Sequence, residues 1–517
     1  MRLAFCLLLC CSLAAAQQRF DVVVYGGTSA GVIAAVAAAR EGATVALLEP
    51  GRWIGGMTTG GLSRTDHGRK ETIGGYSLEF YRRAGRKYGA EVEWYFEPRV
   101  ASQVYDEMLR QAGVKVLVGH RLKEKGGVLK RGARVVEIQM DNGARFRGSV
   151  FVDATYEGDL MAQSRVSYTW GRESSAQYGE SLAGVRPKDR SHQFDVQVSA
   201  RADDGRLLPE IQAGPRGELG SGDRKVQAYN FRMILTKDPA NRIPFARPAG
   251  YDPRRFELLA RWLAAETQRL QREPRFNEVS LPGPLRGGKI DLNNRGAFST
   301  DYIGKSWDYP EASYRRRAEI WRDHASYTAG YLYFMSTDER VPPGLRAEFA
   351  QLGLAKDEFP DNGGWPYQLY VREARRMVGE YVMVQKDLQT ELTKPDVVGM
   401  GSYNSDSHNV QRFVQADGSA QNEGNMEVAV KPYQIPYRIL TPKKTEAENL
   451  LVPVCFSASH VTYSSLRMEP VYMIMGHAAG VAAKMAIDAG SAVQSIEVGD
   501  LQKKLKAQGA VLEWRQQ

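Results

Sequence analysis

The run Val22-Val23-Val24-Tyr25-Gly26-Gly27-Thr28-Ser29-Ala30-Gly31 constrains this chain more than any other stretch. Its apolar, Val-rich start predicts a buried strand over Phe20 to Tyr25. The Ala-rich, Pro-free stretch Ser29 to Arg40 predicts a helix, and Thr44 to Leu48 a second strand. A glycine pair between a strand and a helix, inside a βαβ unit, is the setting a dinucleotide-binding turn requires. Gly26 would make the tight turn, and Gly31 would let helix and strand pack closely. With Gly27, Ser29 and Ala30 they would offer backbone N–H groups and the positive end of the helix dipole to a pyrophosphate. Thr28 departs from the pattern, which has glycine there, and its Cβ is expected to crowd the phosphate unless its hydroxyl or N–H donates instead. Glu49 ends the second strand, where a carboxylate can accept hydrogen bonds from ribose hydroxyls.

The first residues read as an export signal. Arg2 is a short basic start, Leu3 to Leu13 an apolar core, and Ala14-Ala15-Ala16 a small-residue cleavage site. The apolar stretch falls short of the roughly 20 residues that span a bilayer. Cleavage, a periplasmic or secreted location and no stable membrane insertion are therefore expected. Cys6, Cys10 and Cys11 leave with the signal, so the mature chain keeps Cys455 alone. That excludes an intrachain disulfide, a redox-active cysteine pair and a cluster held by four thiolates of one chain. The formal charge of +9 is scattered, with no basic run, so no nucleic-acid partner is expected.

Further along, Gly74 to Tyr88 and Pro98 to Ala112 read as helices and Val114 to Val118 as a strand. Gly132 to Met140 and Ala144 to Asp153 flank an Asn142-Gly143 turn, the signal of a hairpin. Residues 165–225 are polar with little periodicity. Val226 to Leu235 and Leu450 to Phe456 read as strands. Pro253 to Gln271, Glu311 to Phe334, Val471 to Ala489 and Leu501 to Lys506 read as helices.

Three more segments separate FAD from NAD. Arg52 to Met57, with Gly55-Gly56, follows Glu49 closely. Asp153-Ala154-Thr155-Tyr156-Glu157-Gly158-Asp159 closes the first segment. Arg467-Met468-Glu469-Pro470 and Met475-Gly476-His477-Ala478-Ala479-Gly480 open the last long helix. With these, and with Lys289 to Gly304, Tyr367 to Val382 and Gly399 to Arg412, the chain resembles the FAD-dependent oxidoreductase family of glutathione-reductase-type fold. The resembling branch is the heterodisulfide-reductase-subunit-A-like one, some of whose secreted members carry a xanthan lyase label. The resemblance implies an α/β, Rossmann-type FAD-binding domain built from residues 18–165 and 445–495. Between them lies an inserted α+β substrate domain, 166–444, and after them a tail helix, 496–517. It also implies that Asp153, Ala154, Gly158 and Asp159 approach the dinucleotide a second time. Arg467, Pro470, Gly476, Ala479 and Gly480 would lie at the ribityl chain or flavin, and Gly55, Gly56 and Met57 beside it. The iron–sulfur clusters of the relatives are not expected here. No second glycine fingerprint marks a separate NAD(P)H domain, so the electron acceptor stays unidentified.

Removing a hydride from an alcohol or amine needs a base for the other proton, and histidine suits that task. His408 and His460 are the candidates. Asp406, two residues before His408, would share its face of a strand. Arg372 or Arg376 would grip a carboxylate or sugar oxygens by forked hydrogen bonds. His67 and His477, beside glycine-rich segments, are candidates for covalent attachment of the flavin. No metal is expected, for want of ligand spacing. The expected function is oxidation of a small polar substrate, such as a sugar or other CH–OH compound. An amine or amino-acid oxidase, a polysaccharide lyase and a non-catalytic flavin-binding protein are the alternatives.

Overall fold

The computed structural model describes residues 18–514. The export signal, with Cys6, Cys10 and Cys11, lies outside the described residues. In chain order, the first half of the nucleotide-binding unit comprises β1 (Gln18–Tyr25), α1 (Ser29–Arg40), β2 (Val45–Glu49) and α2 (Gly56–Gly60). These are followed by α3 (Gly75–Lys87), α4 (Pro98–Ala112) and β3 (Lys115–Val118). The meander β4 (Val128–Arg131), β5 (Arg134–Gln139) and β6 (Arg145–Asp153) comes next.

The sheet order is β3-β2-β1-β6-β5-β4. β1 runs parallel to both β2 and β6, and β2 parallel to β3. Val22, Val23 and Val24 have no solvent exposure. Both faces of this central strand are covered, which is why its sequence is a continuous apolar run rather than an alternating one. β5 pairs antiparallel with the first part of β6, at Arg145 to Arg147. The returning strand Leu450–Leu451 pairs parallel with the last part, at Phe151 and Val152. One strand thus holds both the meander and the C-terminal segment, and closes the domain across the insertion. The strand expected over Leu450 to Phe456 is only two residues long. Beyond it the backbone bonds elsewhere, Val452 N–H to the Leu440 carbonyl and Met377 N–H to the Cys455 carbonyl.

The long C-terminal helix Glu469–Asp488 lies against α1. Glycines on one side and alanines on the other let the two backbones approach closely: a Cβ on Gly476 would stand 2.3 Å from the Ala30 carbonyl oxygen. The short helix Val498–Ala507 follows.

Between the two nucleotide-binding segments, five antiparallel strands form a second sheet. Its order is Ser280–Pro284, Lys289–Asn294, Met233–Thr236, Gly353–Ala355, Arg242–Pro244. The strand expected from Val226 begins only at Met233. Before it, Tyr229 and Asn230 make single bridges to Tyr302 and Tyr370. The helices Glu257–Leu270 and Tyr314–Thr337 flank this region. Residues 165–225 hold only the two-residue strand Tyr168–Thr169 and the short helix Ser175–Tyr178. A buried ammonium pins the two parts together. Lys289 Nζ lies 2.6 Å from Glu97, Asp357 and Glu358 oxygens, so it takes the centre of a carboxylate trio close enough to hold a cation.

Candidate active site

The carboxyl ends of β1, β2 and β6 open onto a cleft of about 310 Å³, lined by Gly26, Thr28, Glu49, Gly56, Tyr156 and Tyr367 among others. This is where open α/β sheets bind ligands. Gly26 turns at φ +100°, and a Cβ there would meet the Thr155 N–H at 2.7 Å. A Cβ on Gly31 would stand 1.9 Å from the Gly26 carbonyl oxygen, so strand and helix pack as the sequence predicts. The Thr28 hydroxyl, offered as a donor to the phosphate in place of crowding by its Cβ, is spent within the protein. It donates to the Ala154 carbonyl at 2.7 Å and accepts from Gly31 N–H at 3.3 Å, capping α1. Gly27 N–H donates to Glu49 Oε2 at 2.7 Å and Gly51 N–H to Oε1 at 2.6 Å. Burial pushes the Glu49 carboxyl up to about 7, against the opposing pull of these two N–H groups.

Gly55 (φ +108°) and Gly56 (φ +56°) start α2. A Cβ on Gly56 would fall 2.4 Å from Tyr156 Oη, and Met57 N–H donates to that same oxygen at 2.9 Å. Tyr156 in turn donates to Glu469 at 2.9 Å, as do Ser29 at 2.5 Å and Thr58 at 2.8 Å. One buried carboxylate therefore ties the starts of α1, α2 and the long C-terminal helix. The sequence reading missed this role of Glu469, because its three partners are spread over the whole chain.

Asp153, expected to approach the dinucleotide a second time, does not line the cleft. Asp153 is fully buried and its oxygens accept from Thr155 N–H and Oγ1 and from Met161 N–H. Thr155, Tyr156 and Glu157 line the cleft instead. Ala154 is buried against Gly31, and Gly158 (φ +69°) against Cys455. Asp159 pairs with Arg317 and Arg375 at 2.7 Å. It lines an adjoining cavity of about 420 Å³ that shares Pro50, Gly51, Thr155, Glu157 and Trp321 with the cleft. Trp53 and Tyr367 stack at 4.1 Å on the cleft wall. Cys455 is buried, its thiol pushed well above the usual range by burial.

The C-terminal glycines need correction. The helix starts at Glu469, so Gly476, Ala479 and Gly480 sit buried in its middle, the two glycines packed on α1, and none is a helix start at a ligand. Pro470 is its second residue, with its carbonyl accepting from Ser77 Oγ at 3.0 Å. His477 stacks on Tyr76 at 4.0 Å and bonds Gln508, facing the C-terminal tail. His67 lines a further cavity with Tyr95, Asp66 and Tyr403, and not the glycine-lined cleft.

A larger, polar cavity of about 480 Å³ lies against the inserted domain. Asp66, Arg372, Tyr403, Asp406, His408 and Arg467 line it. Arg467 thus faces this cavity rather than the glycine-lined cleft. Asp406 sits in the strand Ser405–Ser407 and His408 directly follows it, both half-buried between buried neighbours. His408 Nδ1 lies 2.6 Å from Asp301 Oδ2, and Arg372 Nη2 donates to Asp301 Oδ1 at 2.9 Å. Burial would raise the Asp301 carboxyl, but Arg372 and His408 hold it well below the usual range. Burial, aided by Arg372, lowers His408 to about 4. The neutral ring then donates from Nδ1 to Asp301 and leaves Nε2 as an acceptor. Nε2 is 3.9 Å from Asp406, beyond hydrogen-bond reach. Arg467 donates to the Asp406 carbonyl at 2.8 Å and to Tyr370 Oη at 2.9 Å. Burial, with Asp406 nearby, raises Asp66 to about 6.

His460 does not join them. It is 3% exposed, and its Nδ1 lies 2.8 Å from Glu373. Glu373 also pairs with Arg376, which pairs with Glu173 at 2.6 Å. This network lies behind the cavity wall, joined to it by Gln227, which donates to Glu373 and accepts from the His408 N–H. Asp301, Asp66, Arg232 and His192 were not legible as site residues. Only Asp301 lies within a segment already marked by resemblance.

The sequence matches the family model described as FAD dependent oxidoreductase over residues 21–505. No match is found among curated proteins. Among solved structures, the chain is similar to NikD, an unusual amino acid oxidase essential for nikkomycin biosynthesis, with 14% identity over 30% of this chain and 56% of that one, TM-score 0.23. It is similar to Thermovibrio ammonificans THI4 with 18% identity over 30% of this chain and 66% of that one, TM-score 0.23. It is similar to the L-amino acid deaminase from Proteus vulgaris with 15% identity over 31% of this chain and 53% of that one, TM-score 0.23. The matched part thus spans between half and two thirds of these proteins' lengths.

Proposed function

Because the chain belongs to the FAD-dependent oxidoreductase family, we propose that it oxidises a small polar substrate bearing a CH–OH group in the cavity around His408. The cleft suits the dinucleotide: it opens at the carboxyl ends of the parallel strands, where Gly26 turns into α1 and Gly56 and Glu49 line the wall. When bound, oxidised FAD supplies the acceptor for the substrate C–H hydrogen and its electron pair.

The observation that carries the reading is the pair His408–Asp301. With Nδ1 committed to Asp301, Nε2 accepts the hydroxyl proton, and Asp301 steadies the ring as it becomes charged. Arg372 in turn fixes Asp301. Charges of both signs around the cavity, Asp66 and Asp406 with Arg232 and Arg467, also suit a zwitterion. Amino acids are therefore the second substrate class. We place the chain in the heterodisulfide-reductase-subunit-A-like branch, without its clusters, and in the periplasm or outside the cell after loss of its signal. The electron acceptor is a separate partner.

The test starts from the visible spectrum of the purified protein, before and after acid precipitation. Flavin bands that move to the supernatant establish a non-covalent cofactor. Anaerobic bleaching by a panel of polyols, sugars, hydroxy acids and amino acids then identifies the substrate class. A flavoprotein that no member bleaches would count against the proposal.

A further inference from the structure

We propose that His192 is a second catalytic residue, which donates a hydrogen bond to the same substrate oxygen whose proton passes to His408. The inference rests on the CH–OH reading above and adds a group to it.

Four observations converge on His192. It lines the polar cavity. Its ring lies nearly parallel to that of His408, at 27° with the centroids 6.5 Å apart. A ring nitrogen about 1.2 Å from its centroid, bonded at about 2.8 Å, reaches an oxygen about 4 Å from that centroid. Two such reaches exceed the separation, so the distance between the rings leaves room for one oxygen bonded to both, although the rings do not touch.

The third observation is backbone strain. His192 has φ +55°, one of five positive-φ residues other than glycine among those described. Such conformations persist where surrounding structure imposes them, and they gather at functional sites. The fourth is that the structure does impose it. The His192 carbonyl accepts from Asn422 Nδ2 at 2.8 Å. Beside it, Asp189 accepts from Ser191 N–H, Gln193 Nε2 and Asn425 Nδ2, which knots the loop. Asn294 Nδ2 approaches His192 Nδ1 at 3.5 Å, which leaves Nε2 as the ring's donor.

The two imidazoles are then set oppositely by their partners. Asp301 makes His408 Nε2 an acceptor, while Asn294 makes His192 Nε2 a donor. Charge that builds on the substrate oxygen as its proton leaves would be met by the His192 N–H, a donor fixed in place beforehand.

The experiment uses the FAD-loaded full chain and the substrate that bleaches it fastest. His192→Ala should slow anaerobic bleaching at saturating substrate about 100-fold, with FAD content unchanged. His192→Asn, which keeps a donor and tolerates positive φ, should recover part of that loss. His192→Gly should leave the melting temperature unchanged or raised while bleaching stays slow, which separates catalysis from folding. Wild-type bleaching by both His192→Ala and His192→Gly would overturn the proposal. Loss in His192→Ala with none in His408→Asn would overturn the base assignment, and with it the proposal that both rings meet one substrate oxygen. If nothing bleaches the protein, the CH–OH reading falls and this proposal with it; where bleaching is seen, ¹⁵N NMR of its histidines adds a check independent of rate. A proton on His192 Nε2 supports the proposal, and one on Nδ1 overturns it.

Discussion

Gly480 lies against Ala34 so closely that a Cβ at position 480 would stand 2.3 Å from the Ala34 carbonyl oxygen. The contact is backbone to backbone, and no flexible side chain can yield. Gly480→Val should therefore destabilise the fold by at least about 1–3 kcal/mol, read from the urea midpoint. The remaining folded protein should bind FAD with wild-type affinity, since Gly480 touches α1 and not the cleft. Weaker binding at unchanged stability would return this glycine to the cofactor.

Glu49 gives a pH signature. Its carboxyl is raised from 4.5 to about 7 in the fold, so the native state holds the proton more tightly than the unfolded chain. That contribution to stability is full below about 4.5 and is lost as pH rises through about 7. Denaturant titrations of the apoprotein should show this decline, and Glu49→Gln should flatten it. The same variant should weaken FAD binding about tenfold, because an amide oxygen accepts more weakly than a carboxylate.

His408→Asn should slow anaerobic flavin reduction by about 10²–10⁴-fold with little change in FAD affinity. In the wild type the rate should fall as pH drops through about 4, where Nε2 becomes protonated. Asp301→Asn should land between the two, because the ring loses its orienting carboxylate. His460→Asn should not slow reduction comparably, and stopped-flow comparison of the variants checks the assignment.

Lys289 pairs with three carboxylates, of which Glu97 and Glu358 are buried, and the more exposed Arg99 pairs with the same three. Lys289→Met should cost about 3 kcal/mol, the low end for a broken buried pair, since it leaves the buried Glu97 and Glu358 with Arg99 alone. Added Ca²⁺ should restore part of the lost melting temperature in the variant and none in the wild type, whose ammonium already fills the centre. Thermal melts with and without the ion measure both.

Mass spectrometry of the exported protein should show Gln17 as its first residue, following cleavage after Ala16. Retention of the full leader would contradict the proposed location.

Much of the nucleotide-binding half was legible. The helix predicted over Ser29 to Arg40 and the one over Pro98 to Ala112 have those bounds, because helix starts carry local signals such as the Thr28 cap and Pro98. Gly26 and Gly31 were legible for the same reason: each is demanded by backbone geometry within a few residues. The C-terminal glycines misled. Met475 to Gly480 reads like a helix start at a ligand, yet small residues inside a helix serve equally for close packing, and only the position of α1 distinguishes the two.

The sequence by itself determined the βαβ cofactor turn, the acidic end of β2 and a single cysteine, Cys455, after residue 11. These depend on backbone conformation over short spans or on composition. Tertiary structure decided which histidine meets the cavity. His408 finds Asp301 across 107 residues and His460 finds Glu373 across 87, and the two segments look alike in sequence. A side chain's protonation and exposure follow from partners brought in by folding, and no local pattern records which distant carboxylate will arrive.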